Sequence, residues 1–171
     1  ALFPTGRSGM FKITVANWRK DTTGPMQVVS GAMEKEKVHF QAPDSDLLEN
    51  EMNQFLVWFN NHEMDLVVKA AIAHLWFVTV HPFEDGNGRI ARAISDMLLA
   101  QSDKSTQRFY SMSAQIRIER NQYYDILEKT QKGDLDITEW IVWFLNCLIN
   151  ALKSTDLVLQ RVLFKADFWK K

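Results

Sequence analysis

Twelve consecutive residues, 81–92, combine the side chains that a reaction on a nucleotide phosphate needs. They read His-Pro-Phe-Glu-Asp-Gly-Asn-Gly-Arg-Ile-Ala-Arg. Histidine has an unperturbed pKa of about 6.5, so a neutral His81 can take a proton from an attacking hydroxyl near neutral pH. Asp85 offers a carboxylate to a magnesium ion that bridges phosphate oxygens. Together they predict in-line attack by a hydroxyl on a phosphorus atom of a nucleotide.

The glycines and arginines of this stretch predict an anion site at a helix N-terminus. The first amides of a helix lack intrahelical partners and carry the positive end of the helix dipole, so phosphate binds there readily. Gly86 and Gly88 let the backbone approach a ligand, and Asn87 tolerates left-handed dihedral angles between them. Arg89 and Arg92 lie three residues apart at the helix end where positive charge is disfavoured. An anionic ligand would resolve that conflict.

Each of these features also has a purely structural explanation. Asp-Gly and Asn-Gly are ordinary turn signals, and a histidine before proline often only packs. Arg92 could pair with Asp96 one helical turn further on. Outside the reactive set, we expect Phe83 to anchor the loop, Glu84 to be solvated and His74 to lie in or beside the core. The concurrence of so many suitable residue types within twelve positions nevertheless favours function.

The rest of the pattern predicts a mainly α-helical bundle with one small β-hairpin before the helix that leads into the motif. Segments 27–30 and 37–41 have the β-branched and aromatic character of strands. Apolar residues at three- and four-residue spacing then predict successive helices. We expect one helix that begins with a cap at Asp44 or Ser45, a second over about 64–80 with one apolar face, and a third that begins near Gly88. Further helices are expected over about 117–132, 137–153 and 155–166, and Gly133 separates the first two of these.

Size and composition indicate one domain of 171 residues. It divides into an N-terminal segment with the hairpin (1–43), a helical core with the motif loop (44–153) and a C-terminal helix (154–171). The net charge of −1 argues against generic attraction to nucleic acid or a membrane surface, and neither a membrane span nor a signal peptide is predicted. One cysteine, Cys147, excludes a disulfide framework and favours the cytoplasm. Because the chain begins without methionine, we expect a fragment of a longer protein.

Residues 81–92 resemble the signature of the Fic family in full: His-Pro-Phe, any residue, Asp, Gly-Asn-Gly-Arg, two residues, Arg. The resemblance extends to a hairpin flap, here about 24–43, before the motif helix. It implies transfer of AMP from ATP to a hydroxyl of a target protein, with release of pyrophosphate. Kinase-like relatives carry lysine at the position of Gly88, so the glycine is typical of AMP transfer.

The resemblance also implies a role for each motif position. His81 would be the general base and Asp85 the magnesium ligand. The backbone at positions 86–88 would hold the α- and β-phosphates, and Arg89 and Arg92 would contact the outer phosphates. Further along, Tyr124 and Gln131 match positions that touch adenosine, although relatives often carry asparagine at the second of them.

The flap of relatives binds a target by adding a strand to its edge, which implies a protein substrate docked at about 24–43. Self-modification and a homodimer are open expectations, and no direct nucleic-acid binding is expected. Removal of AMP from modified proteins and a binding module without turnover are the alternative functions. Some relatives carry an inhibitory helix with a glutamate. Residues 45–50 fit its pattern by letter, but they lie between flap and motif helix, so we do not assign it there.

Overall fold

The computed structural model describes residues 2–22, 24–30, 37–104 and 108–169. They form six helices and two small antiparallel hairpins, so the expected mainly helical class is confirmed. The strands are β1 (Arg7–Ser8), β2 (Phe11–Lys12), β3 (Gln27–Ser30) and β4 (Lys37–Gln41). The helices are α1 (Leu48–Asn61), α2 (Leu66–Val80), α3 (Asn87–Asp103), α4 (Met112–Ile118), α5 (Arg120–Lys132) and α6 (Thr138–Trp169).

Helix α2 is the central element, and it buries more than the one apolar face that was predicted. It begins where the Asp65 carboxylate accepts hydrogen bonds from the Val67 and Val68 amides, each at 3.0 Å. Helices α1, α3 and α6 pack around it, and beyond its first two residues only the stripe of Val68, Ile72, Trp76 and Thr79 is partly exposed. A helix that is apolar all round belongs in the middle of a bundle. The position places its C-terminal end, where the motif begins, deep in the protein.

Helix α1 confirms the predicted helix but not its cap. A short 3-10 turn, Ser45–Leu47, precedes it, and the Asp44 side chain makes no capping hydrogen bond. Instead the Ser45 amide donates to the carboxylate of Asp21, 2.6 Å away and 24 residues earlier in the chain. Sequence patterns detect local caps and cannot detect one supplied by a distant segment.

Helix α6 runs without a break where two helices, 137–153 and 155–166, were expected. The expected boundary falls at Ser154 and Thr155, yet their hydroxyls donate to the carbonyls of Asn150 and Ala151 four residues back, at 2.9 and 3.1 Å. Such bonds let these residues continue a helix. The described stretch Thr138–Val162 is long and apolar enough to cross a membrane. Core helices of soluble proteins can have the same length and composition. The absence of a membrane partner stays a prediction.

The flap hairpin has the expected strands. Gln27 pairs with Gln41 and Ser30 with Lys37, with an irregularity between Val28 and Val29. The turn that joins the strands lies outside the described residues. A second hairpin, β1–β2, was not predicted, since its strands have only two residues each and carry no periodic signal.

Candidate functional site

The motif loop connects α2 to α3 and is held from below by aromatic packing. Phe83 lies 5.2 Å from Trp18 and 6.4 Å from Phe77, measured between ring centroids, which confirms its role as an anchor. Helix α2 ends as His81 turns into the left-handed region, with φ of 50° and ψ of 56°. Pro82 follows and cannot continue the helix. The histidine thus stands at the junction between a buried helix and the motif loop.

The hydrogen bonds of the His81 imidazole decide which nitrogen is basic. Nδ1 lies 3.2 Å from the carbonyl oxygen of Val78. A carbonyl oxygen can only accept, so Nδ1 carries the hydrogen and Nε2 holds the lone pair. Burial lowers the pKa of His81, the Val78 hydrogen bond and Asp85 oppose that shift, and the charge of Arg19 adds to it. The ring is therefore neutral at neutral pH, as a proton acceptor must be.

Asp85 is a half-exposed, ionised carboxylate on the same loop. Burial raises its pKa, but hydrogen bonds from the Ser8 hydroxyl and the Gly86 amide, together with Arg89, lower it overall. A hard carboxylate oxygen suits magnesium, which commonly takes one or two carboxylates and completes its shell with phosphate and water. Within the described ranges, no three His, Cys, Asp or Glu side chains gather as a metal site. The donor chemistry therefore fits an ion shared between Asp85 and a nucleotide.

The three residues 86–88 form the start of α3, with a division of roles that the sequence did not predict. Gly86 has φ of 90°, and its carbonyl accepts from the amides of Arg89 and Ile90. Asn87 does not use the left-handed dihedral angles that it tolerates, because it is the first helical residue. Its buried amide group instead accepts from the Phe83 amide at 3.0 Å and donates to the Phe83 carbonyl at 2.7 Å. This pair of bonds closes the loop, while Gly88 lines the cavity described below.

The two motif arginines take different positions. The Arg89 guanidinium lies 4.6 Å from the centre of the Phe3 ring and 3.5 Å from the Asp85 carboxylate. Arg92 instead lines the cavity that contains His81. Asp96, the alternative partner expected for Arg92, instead forms an ion pair with Arg108, with 3.3 Å between Nη2 and the carboxylate. The Asp96 backbone carbonyl also accepts a hydrogen bond from Arg108 at 2.7 Å. Arg92 is thus placed to meet a ligand in the cavity.

A cavity of about 170 Å³ brings together five of the predicted site residues. They are His81, Gly88, Arg92, Tyr124 and Gln131, whereas the other predicted residues, Asp85, Gly86, Asn87 and Arg89, belong to the loop beside it. The Gln131 amide also donates to the Thr79 hydroxyl at 3.1 Å. A neighbouring groove of about 550 Å³ shares Val28, His39 and Tyr124 with the cavity. The two spaces together reach the size typical of cofactor sites.

The flap covers this cavity, through contacts that sequence reasoning missed. Glu128 of α5 accepts from Lys37 at 3.3 Å and pairs with His39, both on β4. Lys132 also binds Glu128 at 2.7 Å, and hydrogen bonds from Lys132 and His39 lower the pKa of Glu128 to about 2. The only available signal was the position of Glu128 on the predicted helix 117–132, between Tyr124 and Gln131. Contacts between residues some 90 positions apart leave no local pattern.

A buried polar network supports the wall of the cavity. His74 is fully buried, with Nδ1 3.1 Å from the Ser95 hydroxyl and Nε2 3.0 Å from the Tyr123 hydroxyl. Burial, then the charge of Arg92, lowers the pKa of His74 to about 3. The prediction of a core histidine is confirmed. Glu84, expected to be solvated, accepts a hydrogen bond from the Thr14 amide at 2.9 Å.

Comparison with known proteins agrees with this geometry. The profile of the Fic/DOC family matches residues 8–99. A protein adenylyltransferase Fic from Aedes aegypti is 36% identical over 87 residues, which are 49% of this chain and 16% of the mosquito protein. A probable protein adenylyltransferase from Aquifex aeolicus is 27% identical over 101 residues, 58% of this chain and 29% of that protein. The chain therefore spans less than a third of either relative.

Solved structures show the same fold. A Fic family protein from Desulfovibrio desulfuricans superposes with a TM-score of 0.71 at 24% identity, over 88% of this chain and 43% of that one. A Fic domain containing signaling protein from Bacteroides thetaiotaomicron gives 0.63 at 22% identity, over 85% and 54%. With the family profile covering more than half of its residues, the chain belongs to the Fic/DOC family.

Proposed function

We propose that this chain transfers AMP from ATP to a hydroxyl side chain of a target protein and releases pyrophosphate. The observation that carries the proposal is the state of His81. Its Nδ1 is committed to the Val78 carbonyl, so Nε2 is the basic nitrogen, and the ring lines the same cavity as Gly88 and Arg92. A base beside an anion-binding helix terminus is the arrangement that phosphoryl chemistry requires. Relatives named protein adenylyltransferases support the reaction type.

Each group has a defined task in this reaction. His81 takes the proton of the target hydroxyl through Nε2 as the oxygen attacks the α-phosphorus. The first amides of α3, with Arg92, hold the phosphate oxygens, and Arg89 lies at the outer side of the loop. Asp85 would hold magnesium, which supplies positive charge against the charge that develops on the phosphates. Tyr124 and Gln131 would contact the adenosine.

The target protein would bind at the flap. The described flap sheet has two strands, β3 and β4, so the outer edge of each offers backbone groups to an added strand. Recognition through backbone hydrogen bonds depends weakly on the sequence of the partner. The hydroxyl to be modified would then enter from the groove that Val28, His39 and Tyr124 share with the cavity.

Labelled ATP distinguishes this proposal from its alternatives. The chain is incubated with magnesium and ATP labelled on either the α- or the γ-phosphate, with cell proteins as acceptors, and label bound to protein is measured. We expect transfer from α-labelled ATP alone, lost in His81→Ala while ATP still binds by calorimetry. Transfer of γ-label would make the chain a kinase. ATP binding without transfer, with release of AMP from proteins modified beforehand, would favour the reverse reaction and overturn the proposal.

A further inference from the structure

Arg19 is the most completely buried cation among the described residues, and the sequence motif does not include it. Its side chain is 0% exposed and its guanidinium contacts three acceptors. Nε donates to the His81 carbonyl at 2.8 Å, one terminal nitrogen binds the Asp21 carboxylate, and the other binds the Pro43 carbonyl. The Arg19 amide also donates to the Pro82 carbonyl at 2.9 Å. The backbone and side chain of Arg19 thus bind the carbonyls of His81 and Pro82, the two residues that follow α2.

The hydrogen bond from Arg19 stabilises the left-handed backbone conformation of His81. The left-handed region is disfavoured for a residue other than glycine, which persists there only when its surroundings hold it. The carbonyl groups at the end of a helix also lack intrahelical partners. The guanidinium of Arg19 satisfies this carbonyl with a charge-assisted hydrogen bond. Without it, the peptide after His81 would lose the contact that opposes its relaxation.

The orientation of the peptide determines where the imidazole lies. The ring is fixed at one end by the bond from Nδ1 to the Val78 carbonyl. A rotation of the His81 backbone would move the ring away from Val78 and shift Nε2 relative to the cavity. Misplacement of a reacting group by about 1 Å can cost about 100-fold in rate. The same guanidinium is anchored by Asp21 and Pro43, so it cannot follow such a rotation.

We propose that Arg19 is a positioning residue for the reaction: its buried guanidinium holds the left-handed His81 peptide so that Nε2 faces the reacting hydroxyl. The inference rests on the proposed function of His81 as base. The charge supports it, since Arg19 also contributes to the lowered pKa of His81, after burial. The Asp21 carboxylate balances the positive charge of Arg19. Burial raises the pKa of Asp21, but hydrogen bonds from Arg19 and Ser45 lower it overall, so the carboxylate is ionised.

Arg108 provides a matched control for general loss of structure. It is also largely buried, with 15% of its side chain exposed, and it pairs with Asp96 at 3.3 Å and Asp103 at 3.5 Å. Its guanidinium lies 4.3 Å from the centre of the Tyr110 ring. It lines neither the cavity nor the motif loop. Arg19→Met and Arg108→Met therefore remove comparable buried networks, of which only the first contacts His81.

The test measures the unfolding temperature, ATP affinity by calorimetry, kcat for AMP transfer and the ¹⁵N signals of the imidazole rings. For Arg19→Met we expect kcat to fall roughly 10–100-fold, a small change in ATP affinity, and loss of the Nδ1–H form of His81. Arg108→Met should lower the unfolding temperature and leave the imidazole signals of His81 unchanged. Equal losses of kcat in both variants, or an unchanged His81 ring in Arg19→Met, would overturn the proposal.

A second variant covers the case in which Arg19→Met does not fold. Arg19→Lys keeps the charge but cannot donate to three acceptors in one plane. We expect a folded protein with kcat between those of the wild type and Arg19→Met, and wild-type kinetics in this variant would contradict the role. If the wild-type chain transfers no AMP, the proposed function fails, and the His81 imidazole signals still decide whether Arg19 positions the ring.

Discussion

Two histidines on helix α2 show how the same side chain serves two purposes. His74 lies in the middle of the helix and His81 at its end, seven residues or about two turns later. Both ring nitrogens of His74 have buried hydroxyl partners, Ser95 and Tyr123. In His81, Nδ1 binds the Val78 carbonyl, and Nε2 has no hydrogen-bond partner among the residues that the structure describes.

The difference comes from the end of the helix. In the middle of α2, neighbouring helices surround the ring and supply partners, so His74 joins α2, α3 and α5. At the end, the chain turns away at Pro82 and a cavity replaces the neighbours. His81 is suited to the proposed role of base because one of its nitrogens is fixed and the residue lines the cavity.

Replacement of His81 should have the largest effect, and on rate alone. Loss of a general base costs about 10²–10⁴-fold. His81→Ala should lower kcat for AMP transfer by that factor and leave ATP affinity, measured by calorimetry, within about twofold, since we assign phosphate binding to the first amides of α3 and not to His81. The unfolding temperature should barely fall. A variant that binds ATP and transfers AMP at the wild-type rate would show that another group takes the proton.

Replacement of His74 should affect stability far more than chemistry. His74→Leu leaves the Tyr123 hydroxyl buried without its acceptor, which costs about 1–3 kcal/mol. Denaturant unfolding should show this loss, with kcat reduced much less than in His81→Ala. Adding Tyr123→Phe removes the stranded hydroxyl and should recover part of the stability. No recovery would mean that the bond between His74 and Tyr123 contributes little.

The two glycines of the loop should separate strain from ligand contact. Gly86 has φ of 90°, and an added Cβ would lie 3.2 Å from the Phe3 ring, so Gly86→Ala should lower the stability by roughly 1–2 kcal/mol. At Gly88 the nearest atom is an Arg92 nitrogen at 3.5 Å. Gly88→Ala should be as stable as the wild type or more so, yet bind ATP more weakly. Unchanged ATP affinity would contradict the assigned phosphate site.

Acid should destabilise the protein through His74. The pKa of His74 is lowered from 6.5 to about 3 in the folded state. Below pH 6.5 the unfolded chain therefore binds a proton at His74, whereas the folded chain does not. Stability therefore falls as pH drops from 6.5 toward 3, by up to about 1.4 kcal/mol per pH unit from this group. Unfolding of His74→Leu at several pH values should show a shallower decline. An identical slope would exclude His74 as a main source.

The sequence correctly predicted the features that depend on local patterns. Strong helical periodicity predicted α1, α2 and the start of α3, and the dense motif predicted residues that the structure brings together around one cavity. It failed where a distant segment decides. Asp21 accepts the hydrogen bond from Ser45 at the turn before α1, and Glu128 of α5 binds Lys37 of the flap. It also failed where a side chain has two options, since Asn87 closes the loop instead of adopting a left-handed turn.

The most direct test of the contrast is a titration of both imidazole rings by ¹⁵N nuclear magnetic resonance. Ring nitrogen shifts report which nitrogen carries the proton, and their pH dependence reports each pKa. We predict that His81 carries its hydrogen on Nδ1 and titrates below 6.5, because burial lowers its pKa, whereas His74 stays neutral until about pH 3. A His81 ring protonated on Nε2, or one already charged at neutral pH, would contradict its assignment as the base.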